Sequence, residues 1–334
     1  MLRLSLGDER LEGMPLAWNS RQVVLLGRDG RLWDFSPEEA KDYRQTSNRF
    51  RPYGTSELRG MLLDELGRDY EVTGTTHYLV AHPRGMRDRW AGRFEELYRS
   101  FVHYFSVRGF DLEEPRFPLL GIVCRDQEEF QRHATRQGLG DPRGVLGYYS
   151  PKTNRILLYD VGGGSADSEA WEVNATTIIH EAAHQAAFNT GVHNRHTDTP
   201  VWIAEGLATM FEARGVYRSS TFARPSDRVN RDRFEYFLEN VLPRHSSHHL
   251  HDLIASDRSF GHRPAAAYAT AWALTFYLTE TQPDRYEAYL ARSVDRPAFQ
   301  PYSPAERVAD FTAVFGDDWA MLDAQLGRFL RRVK

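Results

Sequence analysis

Cysteine is almost missing from this chain: Cys124 stands alone among 334 residues. One thiol excludes an internal disulfide and any cysteine-rich metal site. Inside Leu119–Cys124, which reads as a strand, it is expected to be a small buried hydrophobe. Long apolar runs are lacking as well; no stretch approaches the ~18 consecutive apolar residues of a membrane span. An excess of one charge is also absent, since 42 Lys and Arg face 46 Asp and Glu for a net charge of −4. That balance gives no reason to expect nucleic acid or another polyanion as partner. No leader peptide is visible, because strand-like alternation starts at Leu2. A chain whose native leader had been removed would be periplasmic or secreted, and one that begins here cytoplasmic. Nor is there an internal repeat or a low-complexity tract, and nothing in the pattern fixes an oligomeric state.

What is there is an ordinary globular composition, 41% hydrophobic and 26% charged, in a chain long enough for two domains. Residues 1–50 read as short strands at Leu2–Leu6, Leu11–Trp18, Gln22–Leu26 and Arg31–Phe35. Gly7-Asp8, Asn19-Ser20 and Asp29-Gly30 separate them, the last a strong hairpin signal. This predicts a small SH3-like β-module, read as a packing appendage more readily than as a partner-binding unit.

Residues 51–334 then form the second predicted domain, with a mixed sheet over about 70–160 and a helical part over 169–334. Glu57–Leu66 reads as a helix capped by Thr55 or Ser56. Tyr70–Thr73 and Thr76–Ala81 form a hairpin. Arg87–Val107 is a long helix whose Trp90, Phe94, Leu97, Tyr98, Phe101 and Tyr104 recur at helical spacing and read as core. Leu119–Cys124, the helix Gln127–Arg136, and a hairpin of Val145–Tyr149 with Arg155–Tyr159 follow. Gly162-Gly163-Gly164-Ser165 lacks the Gly-Lys-Ser/Thr ending of a phosphate loop and reads as a linker. The fold class predicted from this order is α+β.

The chemistry concentrates in His180-Glu181-Ala182-Ala183-His184, inside a helix predicted over Glu169–Phe188. Histidines four apart project from one helix face. Two neutral imidazoles suit a tetrahedral Zn²⁺, which needs a third protein ligand and an open position for water. Glu181, between them, is placed to take a proton from that water. A third ligand is expected on a following helix, and Pro200–Glu212 offers Glu205 flanked by Ala204 and Gly206, small enough for close helix packing. Glu212, two turns on, reads either as an acceptor for a ligand imidazole N–H or as a surface acid. His193 and His196 read as residues of a solvated loop. The His-rich stretch His245–His251 has no acidic partner at helical spacing and reads poorly as a second metal site.

His180-Glu181-x-x-His184 followed by Trp202-x-x-Glu205-Gly206-x-Ala208-x-x-Phe211-Glu212 resembles the gluzincin metallopeptidases, and most of all their peptidase MA-like bacterial families of unknown function. The resemblance covers about residues 145–280. It implies a gluzincin-like domain behind the small β-module, a zinc held by His180, His184 and Glu205, and Glu181 as general base. In such families a tyrosine or histidine on a later segment donates to the developing oxyanion, and Tyr268 is the similar position; Tyr277 is expected to be core. The edge hairpin before the pentad helix is also family-like and suits an extended peptide added as a strand. A peptide or protein substrate follows from the resemblance, with endopeptidase action favoured because no Gly-x-Met-Glu-Asn-like anchor for a free N-terminus is present. Two alternatives stay open: a zinc amide or ester hydrolase that is not a peptidase, and a catalytically silent binding protein with a structural zinc.

Overall fold

A computed structural model of the chain describes residues 1–86, 89–162, 168–218, 224–244 and 246–333. It is a mixed α/β structure with two sheets and many helices. The start of the helix expected at Arg87, most of the expected glycine linker, and His245 lie outside the described residues. Two compact units divide the chain, Met1–Glu95 with Pro115–Asn174, and Glu96–Glu114 with Ala175–Lys334.

The first unit holds both sheets. Strands β1 (Leu2–Leu6), β2 (Glu9–Trp18), β3 (Val23–Gly27), β4 (Leu32–Phe35) and β5 (Ala40–Gln45) form an antiparallel sheet in the order β4-β3-β2-β1-β5. Leu4, Leu11, Val23, Leu25, Phe35 and Ala40 fill its core. Strand β5 was not expected from the sequence. Of its six residues only Ala40 is buried, so Lys41-Asp42-Tyr43-Arg44 offers no apolar alternation to read.

The second sheet runs β6 (Tyr70–Gly74), β7 (Tyr78–Pro83), β8 (Leu119–Cys124), β10 (Arg155–Tyr159), β9 (Gly147–Ser150). Its three central strands are parallel and its two outer pairs antiparallel. Parallel strands are covered on both faces, which is why Leu119–Cys124 is buried at every position, Cys124 included. Helices α1 (Thr55–Leu66) and α3 (Gln127–Arg136) supply Leu58, Leu62, Phe130 and Ala134 to the core over this sheet. The N-cap of α1 is Gly54, not Thr55 or Ser56; the Glu57 carboxylate accepts from the Gly54 N–H at 2.9 Å.

Helices α2 (Trp90–Ser106) and α4 (Ser168–Asn189) each run from the first unit into the second. The rest of the second unit is α5 (Val201–Phe211), α6 (Arg214–Tyr217), α7 (Arg231–Tyr236), α8 (Ser247–Ala255), α9 (Arg258–His262), α10 (Pro264–Thr281), α11 (Pro283–Val294), α12 (Pro304–Phe315) and α13 (Trp319–Arg332). Its core includes the C-terminal part of the aromatic stripe. Phe101 and Tyr104 of α2 meet Phe211 of α5 with ring centroids 4.9 and 5.3 Å apart.

Two features hold this unit together most specifically. First, α5 and α10 touch almost backbone to backbone: a Cβ on Gly206 would lie 2.7 Å from the Ala271 carbonyl oxygen and 2.3 Å from Thr275 Oγ1. Only glycine fits there. Second, Glu280 of α10, with 4% of its side chain exposed, sits among cations. Arg228 donates to both its oxygens, with Nε 2.9 Å from Oε1. Arg108 Nη2 donates to the same oxygen at 2.9 Å and the Tyr104 hydroxyl at 3.1 Å. Burial alone would raise the Glu280 pKa, but the two guanidinium groups outweigh it and hold the carboxyl below its ordinary value.

Two predictions follow from these contacts. Gly206→Ala should destabilise the fold by about 1–3 kcal/mol, the usual cost of overpacking, read as a fall in urea midpoint at unchanged slope. Glu280→Gln removes the carboxylate that Arg108 and Arg228 share, a loss on the order of 3–5 kcal/mol. Because the folded pKa of Glu280 is depressed, its contribution is present above the unfolded value of 4.5 and disappears as pH falls through the folded value. The variant should therefore lose stability at neutral pH and show a flatter acid limb than the parent in denaturation measured across that range.

Candidate metal centre

Helix α4 is alanine-rich around the pentad, and Ile178, Ile179, Ala182, Ala183, Ala186 and Ala187 are all buried. Burying these sides fixes the helix rotation and leaves His180 and His184 on one side. Their Nε2 atoms are 3.2 Å apart and the rings meet edge to face. Pro200 is the N-cap of α5, with Trp202, Ile203 and Leu207 buried. That seating turns Glu205 towards the imidazoles: Oε2 lies 3.4 Å from His180 Nε2 and Oε1 3.5 Å from His184 Nε2.

Both imidazole nitrogens and both carboxylate oxygens thus face one small space, and one ligand atom from each residue lies within 4.8 Å of the others. A zinc ion with bonds near 2.0–2.1 Å separates adjacent tetrahedral ligand atoms by about 3.3 Å. Among the described residues, His180, His184 and Glu205 are the one group of His, Cys, Asp or Glu side chains whose ligand atoms gather in this way. Glu205 Oε2 is buried and makes no hydrogen bond of normal geometry, which leaves it free to face a cation at this point. Burial would raise the Glu205 pKa, yet the imidazoles of His184 and His180 hold it below the usual carboxylate range. The donor set, two imidazoles and an ionised carboxylate, is the one a catalytic zinc takes.

The ring of His180 is held from behind. Its Nδ1–H donates to Glu212 Oε1 at 2.9 Å, which puts the neutral ring's lone pair on Nε2, the atom that faces the site. Glu212 is the C-cap of α5, and its other oxygen accepts from Asn230 Nδ2 at 2.8 Å. The same amide donates to the Thr209 carbonyl at 2.8 Å, and Asn230 Oδ1 caps α7 by accepting from the Arg233 N–H. Asn230 was missed in the sequence. The signal available was an N-cap residue before Arg231–Tyr236, which says nothing of what its amide holds.

Tyr268, in the second turn of α10, has its phenol pKa raised by burial first and then by the Glu205 and Glu181 carboxylates. It is thus within electrostatic reach of both, and stays protonated at neutral pH. Phe260 meets its ring edge-on at 5.3 Å and the Arg233 guanidinium lies 5.3 Å from its centroid. Tyr277 sits elsewhere, its hydroxyl donating to Gln325 at 2.9 Å.

His193 differs from its expected place in a solvated loop: it is 3% exposed. Its Nδ1–H donates to the Val192 carbonyl at 2.9 Å and its Nε2 is buried without a partner. Burial, with the His184 imidazole adding, pushes its pKa down to about 3, so the ring is neutral. The loop that carries it folds back on Phe188, 5.1 Å from the ring, an inward turn with no periodic signature. His249 and His251, from the His-rich stretch, go to a helix cap at Ser246 and to Asp252.

A family described as a protein of unknown function (DUF1570) matches residues 174–300, which contain every residue of this site. No curated protein matches the chain. Among solved structures it is similar to an M1 zinc metallopeptidase from Deinococcus radiodurans, at 17% identity and a TM-score of 0.41, covering 78% of this chain and 50% of that one. A mutant of the M1 zinc metallopeptidase from that organism matches at 15% identity and a TM-score of 0.42, over 78% and 51%. The chain thus spans about half the length of these structures.

If Glu212 and Asn230 orient His180, Glu212→Gln and Asn230→Ala should each weaken zinc binding by roughly 10–100-fold while leaving the fold intact. Competition with a chromophoric chelator measures the affinity, and circular dichroism checks the fold.

Proposed function

We propose that the protein is a zinc-dependent metallopeptidase of gluzincin type, acting as an endopeptidase on peptide or protein substrates. The carrying observation is the convergence of His180 Nε2, His184 Nε2 and the Glu205 carboxylate to separations of 3.2–3.5 Å. Glu181 on the same helix and Tyr268 on α10 add a base and a donor of the right chemistry. In this reading residues 1–50 are an SH3-like β-module and 51–334 a zincin-like domain.

Zinc held by His180, His184 and Glu205 would supply Lewis acidity, making a water more acidic and a carbonyl more electrophilic. The remaining work falls to the chain. Glu181 takes a proton from the attacking water onto its carboxylate and returns it to the leaving amine nitrogen. The Tyr268 hydroxyl donates to the oxygen on which negative charge grows. His180 is held in its ligating tautomer by Glu212 throughout. A general base beside the ligands supports a catalytic reading over a purely structural zinc, which has no use for one.

Glu181→Gln should retain one zinc per chain by elemental analysis and lose about 10²–10⁴-fold in turnover, whereas His184→Ala should lose metal and activity together. Tyr268→Phe should lower kcat by roughly 10²–10³-fold with KM little changed. Cleavage of a broad peptide library at the parent rate by Glu181→Gln would sink the assignment. Hydrolysis confined to small esters and amides would move it to a non-peptidase hydrolase.

A further inference from the structure

A cavity of about 950 Å³ opens at the N-terminal end of α10, bounded by the segment after α7, by α8 and by α9. Pro264–Ala267 and Thr270 form its α10 wall, so it begins one residue from Tyr268. Its charged lining is one-sided. Among the described residues, Arg244, Arg258 and Arg263 line it together with His249 and His262, against one acid, Asp252. Asp252 is turned to His251 at 3.6 Å.

The three arginines are exposed, and among the described residues none of them has a carboxylate partner. The excess of positive charge is local to the cavity, since the whole protein carries a net charge of −4. Ser259, which also lines the cavity, keeps a buried hydroxyl with no acceptor. No side chain caps α10 here, so its positive end faces the same space. The three guanidinium groups, the Ser259 hydroxyl and the end of α10 thus all offer donors to this space.

We infer that this cavity is a subsite for a carboxylate of the peptide substrate, bound by Arg244, Arg258 and Arg263. The inference rests on the metallopeptidase reading for its choice of ligand. The carboxylate belongs either to an acidic side chain or to the peptide C-terminus. Guanidinium forks match that group in geometry and charge, and an amide in its place would leave them without an ionic partner.

The test is made on the zinc-loaded full chain carrying Glu181→Gln, so that binding is read without cleavage. Fluorescence anisotropy compares four fluorescein-labelled alanine-based dodecapeptides: a central Glu or its Gln twin, each with a free or an amidated C-terminus. Binding about tenfold tighter for the Glu peptides assigns a side chain; the same preference for the free terminus assigns the C-terminal carboxylate. Either preference should fall to near unity in Arg258→Gln/Arg263→Gln and separately in Arg244→Gln. It should persist in Arg331→Gln/Arg332→Gln, which changes net charge as much as the double variant does. Equal binding of all four peptides overturns the subsite, as does a preference that survives the cavity variants or falls equally in the control pair. Since binding needs no turnover, an inactive parent enzyme would count against the peptidase and not against the cavity.

Discussion

Two imidazole lone pairs and a carboxylate do not face one point unless something forces them to. At 3.2–3.5 Å they crowd polar atoms that would each be better solvated apart, and one oxygen makes no hydrogen bond of normal geometry. The packed helices around them bear that cost. Buried alanines and isoleucines set the rotation of α4, and the contact of Gly206 with the Ala271 backbone sets the distance between α5 and α10. A cation at the point of convergence turns the same crowding into binding energy.

Control of the site reaches further than its ligands. His180 is oriented by Glu212, Glu212 by Asn230, and Asn230 at once bonds α5 and starts α7. Two residues before Asn230, Arg228 is tied to the buried Glu280 of α10. The segment leading into α7 is therefore fixed at both ends of a short span. This is how a fold with an ordinary composition holds one tautomer of one ring. On the N-terminal side of Tyr268, α10 borders the cavity lined by Arg244, Arg258 and Arg263, so a single helix carries the proposed oxyanion donor and borders the proposed carboxylate subsite.

Much of this was legible because it repeats. The parallel core of the second sheet is announced by Leu119–Cys124, and α2 by its aromatic spacing. The pentad and the Trp202–Glu212 stretch, read together, name the residues that the structure gathers. What escaped has no period. Strand β5 is nearly all exposed and pairs through its backbone alone. His193 is buried by a loop that turns inward, and Asn230 matters through an amide whose partners lie 18 and 21 residues away in sequence.

The sequence by itself determined the helices that carry the candidate ligands, the faces they bury and which residue types stand where metal chemistry needs them, because helical spacing and side-chain chemistry are local properties. Only the tertiary structure decided that Glu205 meets both histidines, that Glu212 points at His180 and not at solvent, and that three arginines border one cavity. Those are matters of how elements distant along the chain pack at ångström separations. There a missing Cβ at Gly206 or one amide at Asn230 carries more weight than any pattern.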